Sequence, residues 1–235
     1  MSTTPEEPPA DDLRPYDLLK VLAHLEVETG PTAWHTEVLT TSGKLGLLWD
    51  GPPDSERVLV MCGGAVGGVL GPAGGLYFDL ARALADEGVN SVRVDYRRPG
   101  DLAACILDIA VAVDLAQRCG GKRFVVMGHS FGGAVAIGAA ASLPDLVTGV
   151  VSLAGQSAGC EAARELNGVP LLLLHGEADE IIPVAAAETV RHIAGYGAVV
   201  VLPGTGHLLT ESGEDLRRRL PRWLLGALGD GAQPY

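Results

Sequence analysis

The sequence points to an α/β architecture: a mostly parallel sheet of about eight strands with helices on both faces and no cap domain. Three observations lead there. Short β-rich apolar runs alternate with helical stretches over about 170 residues, the pattern of successive βαβ units. The run at 58–62 (VLVMC) is apolar without a break, as a strand is when both of its faces are covered. Loops rich in glycine or bearing proline follow the strand ends, where ligands bind in sheets of this kind.

Each element has its own local signal. Residues 17–28 carry leucines and valines at helical spacing and are expected as a short helix against the sheet edge. Residues 35–39 and 44–49 alternate in β fashion around Thr41-Ser42-Gly43 and form a hairpin, ended by Asp50-Gly51-Pro52-Pro53. The strand at 58–62 feeds into Gly63-Gly64-Ala65-Val66-Gly67-Gly68, too glycine-rich to be a mere connection. An amphipathic helix at 76–87 stops at Gly88, and a strand at 91–95 comes after it. Asp101 caps a helix at 102–118, which stops at Gly120-Gly121. A strand at 123–127 and a small-residue helix at 134–141 come next, then a strand at 146–153 and a short polar helix near 161–166. Strands at 170–175 and 198–202 flank a helix at 185–194, and a helix at 211–228 closes the fold. With no internal repeat and no linker, 14–235 is expected as a single domain and 1–13 as a disordered acidic, proline-rich arm.

Composition narrows the function. With 47% hydrophobic and 20% charged residues, the chain is globular, and 235 residues suffice for one sizeable core. A net charge of -12 argues against nucleic acid or an anionic membrane surface as partner. The acidic N-terminus has no signal-peptide pattern, and no apolar run approaches the ~18 residues of a membrane span, so a cytoplasmic protein is expected. Cys62, Cys105, Cys119 and Cys160 form no C-x-x-C pair and read as reduced, mostly buried thiols; neither a metal nor a cofactor is implied.

Chemistry is carried by Gly128-His129-Ser130-Phe131-Gly132, a serine flanked by glycines between a strand and a helix. A turn this sharp presses strand and helix backbones together and leaves no room for a Cβ beside the serine. The pattern is weak alone: with 32 glycines, chance gives about 0.2 matches, and a second stands at Gly155-Gln156-Ser157-Ala158-Gly159. Context separates the two. After Ser130 a strand intervenes before the one that ends at His175, whereas after Ser157 none does. The helix behind Ser130 is small and apolar, and that behind Ser157 carries Glu161, Arg164 and Glu165.

Two later strand ends supply partners. His175-Gly176-Glu177-Ala178-Asp179-Glu180-Ile181-Ile182-Pro183 lies at one, and Pro203-Gly204-Thr205-Gly206-His207 at the other. A serine hydroxyl is a poor nucleophile until a histidine takes its proton, and a carboxylate must hold that imidazole in one tautomer. His207 is read as the base and Asp179 as the orienting acid, with Glu177 and Glu180 as rival acids and His175 as structural.

GHSFGG, HGEADEIIP and GTGH resemble the nucleophile, acid and histidine segments of the α/β-hydrolase superfamily, and DYRRPGD its segment after the fourth strand. The resemblance spans roughly 35–228 and is nearest to small lidless dienelactone-hydrolase-like and esterase-like members. It implies Ser130 as nucleophile, Asp179 as acid and His207 as base. It also implies an oxyanion hole made by the amide of Phe131 and one from the loop after the third strand, where Gly64 is favoured over Ala65. Cys62 stands where that loop usually begins with histidine. Because true dienelactone hydrolases use a cysteine nucleophile, the serine argues against their substrate.

The expected activity is hydrolysis of a small-molecule carboxylic ester or thioester through an acyl-enzyme. Acyl transfer, cyclisation or carbon-carbon cleavage by the same residues is the alternative, followed by a non-catalytic binding role. Ala65, Leu70, Tyr96, Arg97, Ser157 and Ile181 are expected around the substrate, with Tyr77 and Phe78 as further apolar wall. Arg97 and Arg98 could hold a carboxylate or phosphate, although surface ion pairs with Asp101 or neighbouring Glu account for them better. The short 161–166 segment leaves the site open, or covered by a second copy in a homo-oligomer.

Overall fold

The computed structural model describes residues 13–229. The expected disordered arm, apart from its last residue, lies outside them. One nine-stranded sheet runs through the protein, and its strands in chain order are β1 (Val21–Gly30), β2 (Ala33–Thr40), β3 (Gly43–Asp50), β4 (Arg57–Cys62), β5 (Asn90–Asp95), β6 (Arg123–His129), β7 (Val147–Leu153), β8 (Leu171–Gly176) and β9 (Ala198–Leu202). Their spatial order is β1-β2-β3-β5-β4-β6-β7-β8-β9. Pairing is antiparallel from β1 through β3 to β5 and parallel from β5 to β9. The helices are α1 (Pro72–Ala85), α2 (Leu102–Arg118), α3 (Phe131–Ser142), α4 (Ala185–Ala194) and α5 (Gly213–Leu228). None in the described residues is long and apolar enough to cross a membrane.

The ninth strand is a correction. The stretch at 17–28, expected as a helix, forms a single turn at Pro15–Leu18 and then β1. Hairpin pairing outweighs the helical spacing of its leucines. Gly30 pairs with Ala33 across the two-residue turn Pro31-Thr32, and β2 supplies an antiparallel ladder along nearly the whole strand. Valines at 21 and 27 suit that pleated edge.

Unbroken apolar runs become intelligible in the sheet. Val58, Val60 and Cys62 of β4 pack toward α2 and α3, while Leu59 and Met61 pack toward α1 and α5. β6 divides the same way, with Phe124 and Val126 on one face and Val125 and Met127 on the other. Burying an aliphatic side chain of this size contributes roughly 1.5–3 kcal/mol, so the parallel strands anchor the fold. α3 is buried from Phe131 to Ala140, and eight of its twelve residues are Gly or Ala, which lets it lie close to β6 and α2.

Outside the apolar core, Arg97 and Asp108 form a buried pair. The Arg97 Nε lies 2.5 Å from Asp108 Oδ1, and its amide donates to Oδ2 at 2.9 Å. Burial raises the Asp108 pKa despite the guanidinium beside it. Asp108→Ala is expected to lower unfolding free energy by about 3–5 kcal/mol, because it strands the Arg97 charge in the interior. Urea denaturation of the purified variant measures this directly.

Candidate active site

The carboxyl ends of β6, β8 and β9 converge on one surface. Ser130 stands between β6 and α3 with φ 57° and ψ -120°, a strained conformation for a residue with a side chain. The local sequence permits it. A Cβ at Gly128 would overlap the carbonyl of Gly132, and one at Gly132 would overlap the backbone of Gly63. The turn thus exists because β6, α3 and the loop after β4 meet backbone to backbone.

Asp179 lies just past β8, and His207 just past β9. The His207 Nε2 lies 3.1 Å from Ser130 Oγ, and its Nδ1 lies 2.8 Å from Asp179 Oδ2. Because a carboxylate only accepts, Nδ1 carries the proton and Nε2 presents a lone pair to the serine hydroxyl. The other Asp179 oxygen accepts the amides of Ile181 and Ile182 at 2.9 and 2.8 Å. Burial pushes the Asp179 pKa up, but the Ile182 amide, the His207 ring and the Ile181 amide together bring it below its ordinary value. The rival acids sit elsewhere: Glu177 accepts from the Gly204 amide, and Glu180 is exposed on the far side of His207.

Two more histidines brace this arrangement. The buried His129 ring donates through Nε2 to the His207 carbonyl at 3.0 Å, and burial lowers its pKa, which keeps it neutral. His175 is fully buried, with Nε2 at 2.8 Å from the Ile182 carbonyl and 3.3 Å from Asp179 Oδ2. Two oxygens around Nε2 require a proton there. The sequence marked His175 as a structural residue at a strand end; its approach to Asp179 depends on how the loop at 177–183 folds back.

A model of the family described as Phospholipase/Carboxylesterase matches residues 104–199. No curated protein matches the chain. Among solved structures, Est1E from Butyrivibrio proteoclasticus superposes with a TM-score of 0.70 at 18% identity, covering 83% of this chain and 99% of that one. Dienelactone hydrolase from Anabaena variabilis gives 0.71 at 20%, with 83% and 97% covered. Monoacylglycerol lipase from Paleococcus ferrophilus gives 0.63 at 18%, with 78% and 99% covered. The fold is that of the α/β-hydrolases.

In this α/β-hydrolase fold a cleft of about 650 Å³ opens over Ser130, lined by His129, Ser130, His207, Leu208 and the whole loop from Gly63 to Pro72. Ala65 and Leu70 line it, as expected, together with Val66, Val69 and Leu208, which sequence reasoning did not single out. Gly64 lies against the serine, its ideal Cβ position 3.8 Å from that of Ser130. Ile181 borders a second hollow of about 350 Å³ on the other side of His207 and Leu208.

Several expected contacts are not there. Tyr96 is buried and its hydroxyl donates to the Gly63 carbonyl at 3.3 Å, so it supports the loop from beneath. Arg97 points into the interior toward Asp108, whereas Arg98 makes the expected surface ion pair with Asp101 at 3.1 Å. Tyr77 is buried and donates to the Cys62 carbonyl, and Phe78 lies under Arg82 and Arg93. Ser157 does not line the cleft; its carbonyl accepts the Cys160 amide. Cys62 is no rival nucleophile, since burial pushes its thiol up to about 12.

The bracing role of His175 is measurable. His175→Ala leaves the Ile182 carbonyl without its donor and opens a hole under the Asp179 loop. The variant is expected to unfold about 1–3 kcal/mol more easily, with His175→Gln recovering part of the loss, in guanidinium denaturation.

Proposed function

We propose that this protein is a serine hydrolase of carboxylic esters or thioesters, with Ser130 as nucleophile, His207 as general base and Asp179 as orienting acid. The observation that carries the reading is the continuous relay from Ser130 Oγ through His207 to Asp179 at the floor of an open cleft. The matched Phospholipase/Carboxylesterase segment supports ester chemistry, as do the esterase and lipase among the similar structures.

In the first half-reaction Ser130 Oγ attacks the acyl carbon while His207 Nε2 takes its proton. The Asp179 carboxylate stabilises the imidazolium that forms. Phe131 contributes the first amide of α3, which has no partner within the helix, and Gly64 brings its backbone to the opposite side of the serine. These two amides are assigned to the oxyanion, each contributing about 3 kcal/mol to the transition state. Collapse of the tetrahedral intermediate breaks the acyl–oxygen or acyl–sulfur bond, and His207 returns its proton to the leaving group. Water then attacks the acyl-enzyme with the same histidine as base, releasing the acid and restoring Ser130.

A fluorophosphonate probe is expected to label the native protein, and Ser130→Ala to abolish the labelling. Undiminished labelling of that variant would remove Ser130 from the mechanism. Asp179→Asn should keep the fold yet lower kcat by about 10³–10⁴-fold through the wrong imidazole tautomer. Because the Ile182 and Ile181 amides and the His207 ring bring the Asp179 pKa below its ordinary value despite its burial, protonation of this carboxyl should cause no separate loss in the ordinary carboxylate range, which a pH profile of kcat/KM checks.

A further inference from the structure

The walls of the cleft carry a selectivity that neither the fold nor the relay specifies. Apart from the relay and His129, its lining side chains are aliphatic: Ala65, Val66, Val69, Leu70, Pro72 and Leu208. No lysine or arginine lines it. All 17 basic residues of the chain lie within the described residues, so none is hidden in the remaining segments. Arg97 and Arg98, which follow β5, and Arg217 on α5 are committed elsewhere: Arg97 to Asp108, Arg98 to Asp101, and Arg217 to Asp79 and the Ala73 carbonyl. The charges that do flank His207 are negative. Asp179 lies behind it, and Glu180 and Glu211 border the adjoining hollow. The net charge of -12 adds a long-range field of the same sign.

We propose that the Ser130 cleft selects uncharged esters with an aliphatic acyl or alcohol group and rejects substrates bearing an anionic group near the scissile bond. The inference rests on the ester-hydrolase reading of Ser130. An aliphatic chain loses water against Val66, Val69, Leu70 and Leu208, and that burial favours binding in proportion to the apolar area covered. A carboxylate or phosphate in the same place would lose hydration with no cation to replace it and would face Glu180 and Glu211 across His207. Carboxylate-bearing lactones, phosphorylated head groups and thioesters of phosphorylated thiols are therefore disfavoured. The thioesters and esters that remain are those without a negative charge at either end.

The test compares p-nitrophenyl hexanoate with mono-p-nitrophenyl adipate, two acyl groups of equal length of which only the second ends in a carboxylate. Enzymatic kcat/KM, corrected for spontaneous cleavage, is expected to be at least about ten-fold lower for the adipate. The gap should narrow when ionic strength rises from about 0.02 M to about 0.5 M, because salt screens the repulsion. Leu70→Arg places a cation on the aliphatic wall and should raise the adipate-to-hexanoate ratio, and the exposed Glu180→Gln should raise it to a smaller extent. Equal kcat/KM for the two esters, with turnover that depends on Ser130, would overturn the charge selectivity alone. Turnover of neither ester, with fluorophosphonate labelling that survives Ser130→Ala, would overturn the hydrolase reading and this inference with it.

Discussion

The closeness of three backbones around Ser130 is the constraint on which the site depends. β6, α3 and the loop after β4 approach until no Cβ fits at Gly128 or Gly132. That contact forces Ser130 to φ 57°, holds its Oγ above the sheet and sets the Gly64 backbone against it. Strain of this kind costs of order 1–3 kcal/mol and persists only where the surroundings over-determine it. Here the surroundings are the buried parallel strands and the small-residue face of α3, so the core and the site share one origin.

The loops that meet above the serine are also tied to one another. The Ala73 amide, at the end of the cleft wall, donates to the Leu208 carbonyl at 2.7 Å, and the His129 ring donates to the carbonyl of His207. Ala178 donates to Thr205, which joins the acid loop to the histidine loop. The loop that carries His207 is therefore held by two backbone bonds and the His129 ring, and the His207 ring itself by Asp179. Such restraint limits the motion that would separate His207 from Ser130.

Electrostatics arise from the same packing. Arg97 stands in the segment after β5 that leads to the site, yet its guanidinium turns inward to satisfy Asp108 on α2. One choice of ion pair thus removes the cation that the sequence offered to an anionic substrate and leaves the cleft aliphatic. Tyr96 is withdrawn in the same way, as a prop beneath Gly63.

What the sequence determined by itself was whatever local pattern encodes. Apolar runs bounded by glycines marked the parallel strands, α2, α4 and β9 fell on the boundaries read from periodicity, and Asp101 accepts the Ala104 amide as a cap. The order of Ser130, Asp179 and His207 along the ends of β6, β8 and β9 was legible because a parallel sheet places those ends on one surface. The tertiary structure decided the rest, since it depends on contacts distant in sequence. β1 is a strand only because β2 pairs with it. His175 meets Asp179 only because the loop between them folds back, and Arg97 leaves the cleft because Asp108 on α2 claims its guanidinium. Periodicity records which face of an element is buried, but not which partner a polar side chain will find there.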